Sequence, residues 1–196
     1  MSTTLSANAI SIVSASAICD PTTTAPFVLT GAVCATDPSR TDLSAVNLGA
    51  ADGNFFSLGV SATTGYGGYA IFELSPAFTG PAMVVEVTNP SNHLEAANVY
   101  VANSLSELNA KYLASDTVGT VDNGMGGNTT ANNTVTFTGV YSYIMFEDVS
   151  SLMYSTTGSQ DGFDLDSFTV TPVPLPLGAL LLGTAILGLG ASRRRT

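Results

Sequence analysis

Three aspartates crowd one short stretch near the end of the chain. They are Asp161, Asp164 and Asp166, in SQDGFDLDSF at residues 159–168. On an extended backbone successive side chains alternate, so Asp164 and Asp166 share one face and Phe163 and Leu165 take the other. Like charges on one face repel unless a cation, a base or water separates them. Ca2+ takes six to eight oxygen ligands, and such a group supplies them, helped by strand-end acids such as Asp148 or Asp52. The same residues also read as solvated edge carboxylates that bind nothing tightly. The spacing is not that of an EF-hand loop.

Other chemistry has less to stand on. His93 is the only histidine, in the turn-like NPSNHLEAAN, where a lone imidazole is ordinarily just hydrated. No G-x-S-x-G nucleophile elbow occurs. Two aspartates two apart on a strand are about 6–7 Å apart by strand rise, which leaves a glycosidase open, but nothing marks a buried acid among them. TTGYGGY, residues 63–69, lacks the lysine and following helix of a phosphate loop. Asn128 and Asn132 fit the glycosylation pattern and read as turn residues. Cys19 and Cys34 have no histidine or second cysteine at metal-ligand spacing. In an exported protein they are a candidate disulfide pair.

These residues need a scaffold, and the pattern from Leu5 to about Thr171 is one of strands and turns. Strand candidates are residues 9–17, 27–34, 54–60 (NFFSLGV), 70–74 (AIFEL), 83–88 (MVVEVT), 97–102 (ANVYVA), 117–121, 134–138 (TVTFT), 141–146 (YSYIMF) and 163–170 (FDLDSFTV). PAFTGP, residues 76–81, reads as a turn and DNGMGGNTTANN, residues 122–133, as a flexible tip. Residues 103–114 are the one helical candidate. Ser104 and Glu107 have capping-box spacing, with Leu105, Leu108 and Tyr112 following, although a strand pair around a turn fits the same stretch. The expected fold class is all-β: an antiparallel β-sandwich, jelly-roll-like, over residues 1–171, plus a C-terminal transmembrane helix in 172–196.

Composition narrows the partners. Hydrophobic residues make up 45% of the 196 and charged residues only 10%, against roughly 25% in typical domains. Up to Thr171, Arg40 and Lys111 stand against all fifteen acids, a net of −13. Such a surface repels phosphate backbones, so nucleic acid is excluded as a partner, and it attracts cations. It also keeps an exported protein in solution. The lack of tryptophan weighs mildly against a sugar-stacking platform, a role left to tyrosines such as Tyr66 and Tyr69.

The chain ends in TPVPLPLGALLLGTAILGLGASRRRT, residues 171–196. Leu177 to Ser192 is sixteen residues without a charge, and counting from Val173 gives twenty. At about 1.5 Å per residue the two lengths span roughly 24–30 Å, against a hydrocarbon core of about 30 Å. The segment is apolar on every side rather than along one stripe, unlike a helix of a soluble core. Pro174 and Pro176 keep its entrance extended. Arg193, Arg194 and Arg195 are costly to move through lipid, so they stay cytoplasmic and leave the acidic domain outside.

Val173, Pro174, Leu175 and Pro176, the Leu/Gly/Ala helix and the arginine cluster together resemble the VPLPA-CTERM sorting signal, a variant of the PEP-CTERM signals of Gram-negative bacteria. Leu177 stands where that signal usually has alanine. The resemblance implies recognition by an exosortase-type membrane protease, cleavage near the motif, and transfer to the cell envelope, cell surface or extracellular polysaccharide matrix. YIMFEDVS and DGFDLDSFTV are similar to the closing strands of jelly-roll domains in PEP-CTERM proteins and in some carbohydrate-binding modules, which implies the fold more than a ligand.

Residues 1–20 hold no Lys or Arg and no apolar run of seven. Either a start upstream of Met1 supplies a signal peptide, the favoured expectation, or export is unconventional. The functional expectation is a non-catalytic envelope or matrix protein, with polysaccharide as a candidate ligand. A single-pass inner-membrane protein with a periplasmic binding domain is the second reading, and a secreted hydrolase the third.

Overall fold

The computed structural model describes residues 9–18, 38–59, 67–87, 94–122, 130–154 and 162–174. Nine strands and two helices form there. The strands are β1 (Ser11–Ile18), β2 (Asn47–Leu48), β3 (Phe56–Ser57), β4 (Tyr69–Val87), β5 (Ala96–Ala102), β6 (Gly119–Asp122), β7 (Thr130–Val135), β8 (Tyr141–Asp148) and β9 (Asp164–Pro172). The helices are α1 (Leu105–Leu113) and α2 (Ser150–Met153). The protein is all-β in class.

One strand organises the rest. β4 runs for 19 residues. Its first part lies between β1, from Ser75 opposite Ser11 to Tyr69 opposite Ile18, and β8, from Tyr69 opposite Glu147 to Glu73 opposite Tyr143. Its last part lies between β7, with Ala82 opposite Val135, and β9, with Val84 opposite Phe168. β5 and β6 extend the first layer beyond β8. β2 and β3 pair with β9 in the second.

The two layers face each other across one core. Ala70, Phe72, Leu74, Val99, Val101, Ile144 and Phe146 come from the first layer, and Phe56, Val84, Val135, Leu165 and Phe168 from the second. Phe72 is 5.1 Å from Phe168 and 6.1 Å from Phe146 between ring centroids, and Phe146 is 5.3 Å from Phe168. Tilted and edge-on rings at these distances add to the area they bury. On the outside of the first layer, Tyr69, Ile71, Tyr100 and Met145 alternate with the core positions and pack under α1 through Leu108.

Several expectations need correcting. PAFTGP is not a turn: it lies inside β4, where Phe78 pairs with both Tyr141 and Pro172. Gly80 sits where a Cβ would come within 2.4 Å of the Phe137 carbonyl oxygen, so a close backbone approach, not a reversal, requires glycine there. The expected tip does not hold over its whole range: Thr130–Asn133 belong to β7 and pair with β4 from Val87 to Val84. A neighbouring strand edge supplies hydrogen bonds that outweigh the weak strand propensity of Thr-Ala-Asn-Asn. The sheet is mixed rather than wholly antiparallel, since Asn47–Leu48 run parallel to Ser167–Phe168.

The helical alternative for 103–114 holds. The Ser104 hydroxyl accepts the Glu107 amide at 3.1 Å, and the Glu107 carboxylate accepts the amide of Asn103, one residue before the cap, at 2.9 Å. Ser104→Ala is expected to cost about 1 kcal/mol, read as a lowered urea midpoint; an unchanged midpoint would remove the cap's role.

No helix among the described residues is long and apolar enough to cross a membrane. The expected spanning segment lies outside them, as do Cys19, Cys34, His93, Asp161, Leu175, Pro176 and Arg193–Arg195.

Candidate functional site

Asp164 and Asp166 are not solvated. Both are buried, at 2% and 0% exposure, and both stand behind one cleft. The residue alternation also breaks here. Leu165 and Phe168 both enter the core, and the β4–β9 register shifts between Val85 and Glu86, so β9 carries an extra residue at this point.

Asp166 uses both oxygens on one loop. Oδ2 accepts the Gly53 amide at 2.8 Å and Oδ1 the Asp52 amide at 3.2 Å. Asp164 accepts the Ser57 hydroxyl from the opposite strand and lies 3.8 Å from Nη1 of Arg40. The Arg40 guanidinium in turn lies 5.3 Å from the centre of the Phe55 ring. The two acids therefore fasten the 38–57 segment to β9 from beneath.

That segment forms a cleft of about 410 Å3, lined among others by Arg40, Asp42, Ser44, Asn47, Asp52 and Asn54. Asp42 caps the 3-10 turn Leu43–Ala45, accepting the Ser44 amide at 2.9 Å and its hydroxyl at 2.6 Å. These bonds hold its carboxyl below the usual range. The Asn54 amide, donating at 2.9 Å, does the same for Asp52, with Asn47 adding to it. The cleft thus offers two ionised carboxylates, amides and hydroxyls on a braced floor, which suits a ligand rich in hydroxyl groups.

A further set of acids lies deeper. Glu86, Glu95 and Asp148 are 0%, 4% and 1% exposed. Glu86 pairs with core residue Leu165, and Asp148 with core residue Ala97, two residues after Glu95. Strand register therefore turns these carboxyls toward the core. Asp148 Oδ1 accepts the Ser150 hydroxyl, the Ser150 amide at 3.2 Å and the Phe163 amide at 3.1 Å, while Oδ2 accepts none. Burial pushes the Asp148 carboxyl up to about 6 against the pull of those bonds. Glu95 goes further, to about 10, first through burial and then through Asp164, Glu86 and Asp148, with a hydrogen bond to Glu86. A carboxyl held that high carries its proton at neutral pH.

Among the described residues, no three His, Cys, Asp or Glu side chains gather at metal-ligand positions. The structure brings Asp164 and Asp166 together as braces and places Asp148 among the core-facing acids. Asp161 and the candidate disulfide cysteines lie outside the described residues. Of the expected sorting motif, Val173 is half-buried, its amide donating to the Ala77 carbonyl at 2.8 Å, and Pro174 is exposed just past the end of β9.

No family model matches the chain, and no curated protein matches it. Among solved structures, a truncated AlyQ with CBM32 and alginate lyase domains aligns at 14% identity and a TM-score of 0.39. The match covers 66% of this chain and 32% of that one. At that distance the likeness assigns neither a family nor a ligand.

Proposed function

We propose that this is a non-catalytic exported protein of the cell envelope or extracellular matrix, with a jelly-roll-like β-sandwich delivered by its tail. In this reading an exosortase-type protease recognises the tail at the membrane, with the C-terminus cytoplasmic before processing. The observation that carries it is the order of the last 24 residues: V-P-L-P, an uninterrupted apolar stretch, then three arginines. Support comes from the position of the motif. β9 ends at Pro172, and Pro174, the second residue of the motif, is exposed beyond it.

The ligand proposed is extracellular polysaccharide, held in the Arg40–Asp52 cleft. Asp164 and Asp166 serve there as braces, consistent with a binding rather than a hydrolytic role.

Two measurements test this reading. The mature protein from the envelope fraction is expected to be lighter than the full chain by roughly two kilodaltons, the mass of the tail. An intact C-terminus would instead favour a permanently anchored inner-membrane protein. In affinity electrophoresis through the producing cell's own matrix polysaccharide, Asp52→Ala is expected to abolish retardation. Equal mobility of wild type and variant would sink the polysaccharide assignment while leaving the sorting reading intact.

A further inference from the structure

A second groove opens on the other side of the first layer, between α1, β5, β8 and α2. It measures about 380 Å3. Its floor is Glu147, whose Oε2 accepts the Tyr100 hydroxyl at 2.8 Å and the Asn98 side-chain amide at 3.3 Å. Both donors are neutral. Asn98 spends its own oxygen on the Thr120 hydroxyl at 2.7 Å. The polar floor therefore presents a carboxylate acceptor whose held donors already point at it.

The surroundings favour positive charge. Burial pushes the Glu147 carboxyl upward against those two hydrogen bonds, so its charge is poorly compensated. Lys111 is engaged elsewhere, donating to the Val101 carbonyl at 2.8 Å and lying 3.5 Å from Glu107. Tyr112, Leu113 and Ser115 bring the C-terminal end of α1 to the groove. The carbonyls of Ala110, Lys111 and Tyr112 accept the amides of Ala114, Asp116 and Ser115, and the helix dipole still places partial negative charge at this end, which attracts cations. Ser115 holds φ at 54° there, a left-handed conformation uncommon outside glycine. The domain's net negative charge adds long-range attraction for cations.

The rim is apolar. Leu113 is 51% exposed and Leu152 is 67% exposed, and both line the groove. A sugar would meet few free donors in this floor. An ammonium group brings its own donors and charge to Glu147, the half-buried Tyr112 ring lines the groove, and an aliphatic stem covers the leucines.

We propose that this groove binds a primary alkylammonium group on an aliphatic stem, with Glu147 as its counter-ion and Leu113 and Leu152 as the walls for the stem. The group is that of a lysine side chain or of a free aliphatic diamine.

Calorimetric titration of the full chain at pH 7 tests this with two probes, 1,5-diaminopentane and Nα-acetyl-lysine N-methylamide. Saturable binding of either is expected, and the probe preferred separates a small-molecule source from a protein lysine. Glu147→Gln keeps an acceptor for Tyr100 and Asn98 and removes the charge, so affinity is expected to fall about tenfold. Leu152→Ser, at an exposed position that leaves the core intact, is expected to weaken binding several-fold. Asp52→Asn, in the other cleft, is expected to leave the affinity for both ammonium probes unchanged. Absence of saturable binding overturns the proposal. So does equal binding by all variants, which would mean attraction to the acidic surface alone. Equal competition by uncharged 1-pentanol does too.

Discussion

Glu95→Gln is expected to stabilise the protein by up to about 3 kcal/mol at pH 7. Glu95 is 4% exposed, and its carboxyl is pushed up to about 10 by burial and by the acids around it. In the unfolded chain it would titrate near 4.5. Folding at pH 7 therefore requires taking up a proton that water would have removed. The stability contributed by the protonated form is fully present below the unfolded value and is lost as pH rises toward the folded one. Wild type should thus weaken steadily between about pH 4.5 and 10 at this site. Glutamine is neutral throughout, nearly the same size, and its amide can donate to Glu86 as the carboxyl does. Urea midpoints at pH 4, 7 and 9 check the difference between the two proteins. A near-zero difference at pH 4 that grows with pH is expected; a constant one would sink the explanation.

Asp166→Ala is expected to cost about 3 kcal/mol and to deform the cleft at the same time. The substitution removes both acceptors of the Asp52 and Gly53 amides and leaves a void at a position with 0% exposure. Hydrogen bonds to charged groups contribute about 1.5–3 kcal/mol each, and stranding their donors adds to the loss. Two readouts separate this role from ordinary packing. Denaturant unfolding gives the cost, and amide exchange reports the loop. Accelerated exchange at Asp52 and Gly53 under native conditions, with β5 and β8 still protected, is the expected pattern. Uniform acceleration would mean that Asp166 supports the fold in general rather than this segment.

Much of the scaffold was legible because its signals are local. MVVEV is rich in β-branched residues, ANVYVA alternates, and Ser104 with Glu107 marks a helix start. The continuity of β4 was not legible, since prolines and glycine at 76–81 punctuate it and only non-local partners on both sides keep it extended. The solvated reading of Asp164 and Asp166 failed for a related reason: the residues that cover them lie more than a hundred positions away. Glu86 and Glu95 did carry a signal that went unread. Glu86 shares parity with Val84, and Glu95 with Ala97, Val99 and Val101. An acid at an inward position of an alternating run is expensive, and that cost marks a buried carboxyl without any structure.

β1 and β9, the first and last strands described, both pair with the same strand, β1 with Tyr69–Ser75 and β9 with residues 78–86 of β4. Tension between the two ends of the fold is therefore carried from one to the other along a single covalent backbone. Ser11 lies opposite Ser75 and Pro172 opposite Phe78, so the outer ends of both strands sit side by side at the middle of β4, and a pull between them opens each ladder from that end, one bond after another. Under tension between its ends the fold therefore yields stepwise rather than all at once.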